Sequence, residues 1–199
     1  MFFITPPRPE GKIHPRQLPS IEREGGRIAQ PKYDGDRRCV ATEGRDIASW
    51  NRHGQKRTLD PKIAKEMRSL KLPKGFAYFD GEYLSQLGVL ALFDILHCAR
   101  TLVGVYQLER LALLADICRN PQDTCLSGFA HPITEHIWMA PQFSCQFTQL
   151  YQKTLPLKGT IEGILLRDID SYLGSVATVG EFLVNWQLRC RQPAKGRAC

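Results

Sequence analysis

The sequence predicts an α+β fold built from antiparallel sheets that are flanked by helices. Strand-like and helix-like segments are interleaved along the 199 residues, yet several strands are joined by tight Asp-Gly and Glu-Gly turns, which is typical of antiparallel hairpins. The sequence also has no glycine-rich phosphate loop of either common type. Both observations argue against a doubly wound parallel sheet.

The N-terminal part of the chain is predicted to be an extended lead-in, residues 1–26, with one short helix over Leu18–Glu24. It is rich in Pro, Gly, Arg and Glu. From residue 27 the pattern becomes strand-like, and short segments are separated by turn residues. The predicted strands here are 27–33, 37–42 and 46–50, with turns at Asp34-Gly35 and Glu43-Gly44.

The next segments alternate between helix and strand. A helix over 60–70 opens with Asp60 as N-cap and Pro61 at the first helical position, and it places Ile63, Met67 and Leu70 on one face. A second helix, 106–119, is predicted to bury a stripe of Leu108, Leu111, Ala112 and Ala115. The remaining predictions are a helix over 143–155 and strands over 76–84, 89–96, 136–141, 161–167 and 182–191.

The composition is that of a globular protein. Hydrophobic residues make up 43% and charged residues 24%, which argues against disorder or a fibre. No apolar run is long enough to cross a bilayer. The apolar N-terminal stretch covers four residues before Pro6 and Pro7, too few for a secretory signal, so we expect a cytoplasmic protein. Seven irregularly spaced cysteines, without a Cys-x-x-Cys pair, favour free thiols over a zinc site or a disulfide framework.

The charge distribution favours a polyanionic partner such as nucleic acid or a nucleotide. Lysine and arginine exceed the acids by 27 − 20 = 7. The excess is concentrated near the C-terminus, where residues 187–199 contain Arg189, Arg191, Lys195 and Arg197 and no acid. We therefore divide the chain into the lead-in, a domain over 27–191 and a basic tail over 192–199.

The strongest local signal is the string Lys32-Tyr33-Asp34-Gly35-Asp36-Arg37. A lysine at the end of a strand, just before a tight turn, holds its amine in a fixed place, and Arg37 is a second cation close by. A nearby cation favours the neutral, nucleophilic form of a lysine. A surface hairpin with a solvated lysine is the alternative interpretation of these six residues.

This string resembles motif I, Lys-x-Asp-Gly-x-Arg, of the covalent nucleotidyltransferases, the superfamily of DNA ligases, RNA ligases and mRNA-capping enzymes. Five further segments resemble motifs Ia, III, IIIa, IV and V in the family's order, namely 49–54, 79–83, 92–96, 162–167 and 188–191. One short motif is weak evidence, whereas six in the right order are strong. The resemblance covers about residues 28–191 and implies a ligase adenylation-domain, ATP-grasp-like nucleotidyltransferase fold around a nucleotide cleft.

The resemblance also implies roles for individual residues. Lys32 is the expected nucleophile, which attacks the α-phosphate of ATP and becomes lysyl-AMP. Glu82 and Glu162 are the expected ligands of Mg²⁺, for which Mn²⁺ can substitute, and Glu82 is also a candidate for the ribose hydroxyls. Phe93 is expected to stack on adenine, with a core phenylalanine as the alternative.

The other implied nucleotide-binding residues are cations and one amide. Arg37 is a candidate nucleotide-binding residue, and Arg52 is a candidate for a phosphate or the ribose, with a solvated loop arginine as the alternative. Arg189 and Arg191 stand in motif V, where the family has lysines, and arginine differs from lysine in size and geometry. Gln30 stands where many DNA ligases have a glutamate that reads the adenine amino group, and a glutamine can accept that hydrogen bond through its carbonyl.

Two further residues have predicted structural contacts. Asp94 lies in an apolar strand, so we expect it to pair with a cation such as Arg37 or Arg110. Arg167 is predicted to bind a phosphate or to form a salt bridge.

The resemblance implies an ATP-dependent DNA ligase that acts on nicked duplex DNA in repair, replication or recombination, as a monomer away from membranes. Family members continue into an OB-fold domain, which these 199 residues do not contain, so a separate OB-fold or DNA-binding protein is a candidate partner. An RNA ligase and a capping-type guanylyltransferase are the alternative enzymes. The alternative of another class is a non-catalytic nucleic-acid-binding remnant.

Overall fold

The computed structural model describes residues 1–72, 74–119, 121, 123–174 and 182–193. It contains two sheets and four α-helices within these residues. The strands are β1 (Pro7–Lys12), β2 (Arg27–Tyr33), β3 (Asp36–Glu43), β4 (Asp46–Trp50), β5 (Phe76–Leu84), β6 (Val89–Cys98), β7 (Arg100–Thr101), β8 (His131–Pro132), β9 (Ile137–Met139), β10 (Ile161–Asp168) and β11 (Phe182–Arg191). The helices are α1 (Leu18–Glu24), α2 (Pro61–Met67), α3 (Gln107–Ile117) and α4 (Phe147–Thr154).

The smaller sheet joins the two ends of the chain. Its order is β1-β11-β10-β2, with antiparallel pairing of β11, β10 and β2 and parallel pairing of β1 with β11. Part of the predicted lead-in is therefore a sheet strand. The pairing of β10 with both neighbours places Gly163 beside Lys32 on one side and beside Arg191 on the other.

The larger sheet carries the hairpins that the sequence predicts. Its seven strands follow the order β4-β3-β5-β6-β9-β8, with β7 paired to β6. The turns at Asp34-Gly35 and Glu43-Gly44 flank β3, as predicted. The pairing is antiparallel except between β6 and β9, which run parallel. The α+β prediction is thus confirmed, and one parallel pair in each sheet is a feature that the sequence pattern does not indicate.

The core lies on both sides of the larger sheet. On one side, α1 and α4 pack with the smaller sheet through Leu18, Phe147 and Ile164. On the other side, α2 and α3 bury Ile63, Met67, Leu114 and Ile117. Asp60 caps α2 by accepting a hydrogen bond from the backbone N–H of Lys62 at 2.8 Å, as the sequence predicts. No helix within the described residues is both long and apolar enough to cross a membrane.

The predicted buried stripe of α3 is wrong. Leu111 is buried, but Leu108 is 42% exposed and Ala112 is also exposed. The inner face instead carries Gln107, Arg110, Leu111, Leu114 and Ile117. The helix is rotated relative to the apolar pattern because two polar side chains of this face bind Asp94, in the core beneath the helix.

Candidate active site

The two sheets enclose a cleft of about 590 Å³ that contains the sequence-predicted site residues. The smaller sheet supplies side chains from β1, β2, β10 and β11, and the larger sheet supplies side chains from β3, β5, β6 and the turn after β4. All nine predicted residues line this cleft: Gln30, Lys32, Arg37, Arg52, Glu82, Phe93, Glu162, Arg189 and Arg191.

Lys32 occupies the penultimate position of β2, and its amine faces acidic and basic neighbours. The Lys32 Nζ donates a hydrogen bond to the Glu162 carboxylate. The Arg191 Nε contacts the other oxygen of the same carboxylate at 3.1 Å. Lys32 and Glu162 are largely covered, whereas the Arg191 side chain is 50% exposed. The three side chains form a chain of opposite charges at the mouth of the cleft.

The local backbone fixes this arrangement. The Tyr33 hydroxyl donates to the backbone carbonyl of Phe129 at 2.7 Å and anchors the end of β2. A β-carbon at Gly35 would collide with the carbonyl oxygen of Tyr83, so the turn that follows Lys32 requires glycine. The register of β10 shifts between Ile161 and Gly163 and leaves Glu162 at the irregularity, facing Lys32.

Arg37, in β3 of the larger sheet, contacts side chains and backbone of both sheets. Its guanidinium forms a two-point ion pair with Asp80, in which Nε lies 2.7 Å from Oδ1. It also donates to the backbone carbonyl of Pro7 at 3.0 Å, which ties β1 to β3. Glu82 lies opposite Arg37 in the pairing of β3 with β5. Burial raises the pKa of Glu82 to about 7, against the opposing effect of the Lys32 and Arg37 charges.

Phe93 gives the cleft an aromatic surface, and the amide side chain of Gln30 lies beside it. The Gln30 Nε2 donates to the backbone carbonyl of Phe93 at 3.4 Å, while its buried Oε1 has no partner among the described residues. The guanidinium carbons of Arg37 and Arg167 lie 5.2 and 5.7 Å from the centroid of the Phe93 ring. The Phe93 ring therefore contacts two guanidinium groups and also lines the cleft.

A buried ion network lies directly behind Phe93. Asp94 accepts hydrogen bonds from Arg110, at 3.1 Å for each of two contacts, and from Arg167 at 2.9 Å. Gln107 bridges the two guanidiniums through its carbonyl oxygen. Burial opposes ionisation of Asp94, but the Arg110 and Arg167 charges hold its pKa below the usual range. Asp94 thus has the predicted partner Arg110 and not Arg37, and Arg167 forms a salt bridge.

The opposite wall and the far end of the cleft are basic. Arg52 lies in the turn after β4, is exposed, and donates from Nε to the His53 ring at 3.0 Å. The cleft is also lined by residues that the sequence motifs do not indicate, among them Arg8, Arg38, Arg57 and Gln187. Arg38 and Arg57 stand close to motifs I and Ia and could have been found there. No local pattern marks Arg8, because its place depends on pairing between opposite ends of the chain.

The carboxylates in the cleft are suitable ligands for a divalent cation. Glu82 and Glu162 both line the cavity, and the proximity of Glu162 contributes to the raised pKa of Glu82. Mg²⁺ prefers one or two carboxylates together with phosphate oxygens. Although Glu162 already contacts Lys32 and Arg191, an ionised carboxylate has about four lone-pair sites, so these contacts leave room for a cation.

Comparison with solved structures identifies the fold. A mycobacterial DNA ligase D complexed with ATP has a TM-score of 0.63 at 15% identity, over 94% of this chain and 60% of that chain. The ligase domain of LigD from M. tuberculosis has a TM-score of 0.61 at 15% identity, with coverages of 93% and 58%. Chlorella virus DNA ligase-adenylate has a TM-score of 0.58 at 15% identity, with coverages of 94% and 67%.

These comparisons establish the fold and not more. This chain has the nucleotidyltransferase fold of ligase adenylation domains, as its motifs imply, and it spans about 60% of the length of the two ligase D chains. Neither sheet of the described residues is a separate OB-fold barrel. No family model matches the sequence, and no curated protein matches it.

Proposed function

We propose that this chain is the adenylation domain of an ATP-dependent polynucleotide ligase that acts on nicked duplex DNA. The observation that carries the proposal is the convergence of eight motif residues and Gln30 on one cleft, with Lys32 held beside Glu162. Six short motifs that are dispersed along the sequence have no reason to meet unless they serve one site. The ligase fold supports this interpretation, because its relatives include a ligase-adenylate.

In the first step, the Lys32 Nζ attacks the α-phosphorus of ATP. A P–N bond forms, the bond from the α-phosphorus to its bridging oxygen breaks, and pyrophosphate leaves with the electron pair. An ammonium has no lone pair, so the amine must first release a proton, and the Glu162 carboxylate in contact with Nζ is positioned to accept it. Catalysis of this kind depends on positioning and charge neutralisation.

The charged side chains around Lys32 would neutralise the reacting phosphate. Arg191 lies against Glu162 and would contact the α-phosphate, whereas Arg189 lines the cleft two residues earlier on the same strand and would contact a neighbouring phosphate. Glu82 and Glu162 would hold Mg²⁺ or Mn²⁺, which supplies further positive charge to phosphate oxygens when it is bound. Arg52, on the opposite wall, is the candidate for the ribose or a phosphate.

The apolar end of the cleft would bind the base. Because the Gln30 Nε2 already donates to the Phe93 carbonyl, its buried Oε1 is left as an acceptor. An amino group on the base satisfies this acceptor, and the exocyclic amine of adenine is such a donor, whereas the corresponding atom of guanine is an acceptor. This polarity favours ATP over GTP. Phe93 would stack on the adenine.

The remaining steps transfer AMP and seal the strand. A 5′-phosphate oxygen attacks the lysyl-AMP phosphorus, the P–N bond breaks, and the Lys32 amine is restored. The neighbouring 3′-hydroxyl then attacks the strand phosphate, which forms the phosphodiester bond and releases AMP. We infer DNA as the substrate from motif I, Lys32-Tyr33-Asp34-Gly35-Asp36-Arg37, which looks more like that of ATP-dependent DNA ligases than that of RNA ligases. Motif IV, residues 162–167, looks more like that of a DNA or RNA ligase than that of a capping enzyme.

Covalent labelling tests the proposal. Incubation with ATP and Mg²⁺ is expected to add the mass of one adenylyl group, and Lys32→Ala is expected to abolish the addition. Lys65→Ala, which removes an exposed lysine of α2, is the matched control and is expected to label normally. Labelling by GTP alone would indicate a capping-type enzyme, and preferential sealing of RNA would indicate an RNA ligase. Absence of labelling with either metal ion would favour the non-catalytic remnant.

A further inference from the structure

The edge strand of the smaller sheet brings an additional arginine to the cleft. Arg8 lies in β1, which pairs in parallel with β11, and it lines the same cavity as Arg189 and Arg191. Arg189 and Arg191 are two residues apart, so they occupy the same face of β11. Three arginines from the two ends of the chain thus face one space.

The backbone around Arg8 is held from two sides. Pro7 and Pro9 pair with Phe182 and Val184 of β11, and the register shifts between Pro9 and Gly11. The carbonyl of Pro7 also accepts the hydrogen bond from Arg37 of the larger sheet. Because both sheets fix this segment, Arg8 projects from a rigid backbone, which lowers the entropy lost when its guanidinium binds a ligand.

Among the described residues that line the cleft, Arg8, Arg189 and Arg191 lie at this end together with the carboxylate of Glu162. Glu162 is already engaged by Lys32 and Arg191. The Arg189 Nε is buried and has no hydrogen-bond partner among the described residues. Burial lowers the pKa of Arg189, and the Arg191 and Arg8 charges lower it further. A buried donor without a partner, among like charges, is stabilised by an anion.

We propose that Arg8 and Arg189 form a second phosphate-binding subsite, separate from the place beside Lys32 and Arg191 where the α-phosphate would react. This inference rests on the proposed function for the source of its ligand. Phosphate is the matching chemistry, because guanidinium forks bind its oxygens through paired charge-assisted hydrogen bonds. The β- and γ-phosphates of the nucleotide and the 5′-phosphate of the strand are the two sources.

Inorganic pyrophosphate is the direct probe of the subsite. Isothermal titration of the full chain is expected to show binding that weakens about ten-fold in Arg8→Ala and in Arg189→Ala, the scale of one charge-assisted hydrogen bond. Arg16→Ala removes an exposed arginine outside the cleft and is expected to change the affinity less than two-fold. The double variant Arg8→Ala/Arg189→Ala is expected to lose less than the product of the single losses, because both side chains hold one phosphate.

Two further titrations identify the source, both in the Lys32→Ala chain so that no covalent step interferes. If the nucleotide supplies the phosphate, Arg8→Ala weakens binding of ATP and leaves AMP unchanged. If the strand supplies it, Arg8→Ala removes the preference for a nick with a 5′-phosphate over one with a 5′-hydroxyl. Either result supports the subsite. Unchanged thermal unfolding of Arg8→Ala excludes misfolding as the cause.

The inference is overturned if Arg8→Ala behaves like Arg16→Ala with all of these ligands. It is also overturned if the losses of Arg8→Ala and Arg189→Ala simply multiply, as a general effect of positive charge would. Failure of the proposed function is a separate outcome. A chain that binds pyrophosphate through Arg8 but never becomes adenylated would retain the subsite and lose the ligase assignment.

Discussion

At the scale of single residues, the buried charges behind Phe93 distinguish this protein from one with an entirely apolar core. Asp94 and Arg110 are fully buried, and Arg167 is 1% exposed. Such a cluster is tolerated because each charge has opposite or hydrogen-bonding partners. Arg167 also contacts the Phe93 ring, so the network connects α3 with the apolar wall of the cleft. Its removal should therefore affect stability more than the chemistry at Lys32.

Replacement of Asp94 tests this network. Asp94→Asn leaves two buried guanidiniums without their counter-charge, and we expect the free energy of unfolding to fall by about 3–5 kcal/mol, as measured by urea denaturation. Asp116→Asn, at an exposed position of α3, is expected to stay within about 0.5 kcal/mol of the wild type. Equal effects of the two variants would contradict the buried network.

The difference in unfolding free energy between the wild type and Asp94→Asn is expected to depend on pH. The arginines hold the folded-state pKa of Asp94 below the unfolded value of about 3.9, so the ionised form favours folding. Its contribution is fully present above that unfolded value and is lost as the pH falls through the folded pKa. The stability difference between wild type and Asp94→Asn should therefore be constant near neutral pH and shrink in acid.

At the scale of elements, one irregularity of β10 places the acidic partner of Lys32. Gly163 has φ of +141°, and a β-carbon there would collide with the carbonyl of Cys190 on β11. This glycine allows the register shift that leaves Glu162 facing the amine. In β10, the requirement for glycine at position 163 is therefore linked to the position of Glu162, the proposed proton acceptor.

Gly163→Ala tests whether the two effects are linked. The substitution adds a backbone collision to an unfavourable φ, so we expect a loss of more than about 3 kcal/mol in unfolding free energy, together with slower adenylation. Gly88→Ala is the matched control, because Gly88 also has positive φ, of +66°, but has open space around it. Its expected loss is about 1 kcal/mol, with adenylation unchanged. A normal adenylation rate in folded Gly163→Ala would show that β10 does not set the position of Glu162.

At the scale of the whole molecule, basic residues are concentrated in two regions, the cleft and the predicted tail. The cleft holds Arg8, Arg189 and Arg191 at one end and Arg52 and Arg57 on its wall. The tail residues 194–199 lie outside the described part of the chain, so their role remains a prediction from the sequence. Both regions carry charge suited to phosphates, and the cleft residues share their cavity with Lys32.

Removal of residues 194–199 separates these contributions. The deletion removes Lys195 and Arg197 and retains Pro193, whose carbonyl accepts a hydrogen bond from Lys158 at 2.9 Å. We expect normal adenylation but weaker binding to nicked duplex DNA. The slope of log affinity against log salt should decrease by up to about 2, since each lost phosphate contact contributes about 0.9. Loss of adenylation with an unchanged slope would assign the tail to the catalytic cleft instead.

The sequence by itself determined the fold class, most element positions and nine of the residues that line the cleft. Hairpin turns, strand alternation and the N-cap at Asp60 are local patterns, and local geometry realises them directly. The motif residues could be predicted because their order and types resemble a known family. The strands Phe76–Leu84 and Phe182–Arg191 have the bounds that the pattern indicated.

Only the tertiary structure decided which face of α3 is buried, where β1 pairs, and that Arg8 enters the cleft. Each of these depends on a contact between distant segments. The orientation of α3 follows from Asp94 in β6, and the position of Arg8 follows from β11 at the other end of the chain. A hydrophobic pattern predicts that a charged residue such as Arg110 faces solvent. Arg110 is buried because the folded chain places the opposite charge of Asp94 next to it.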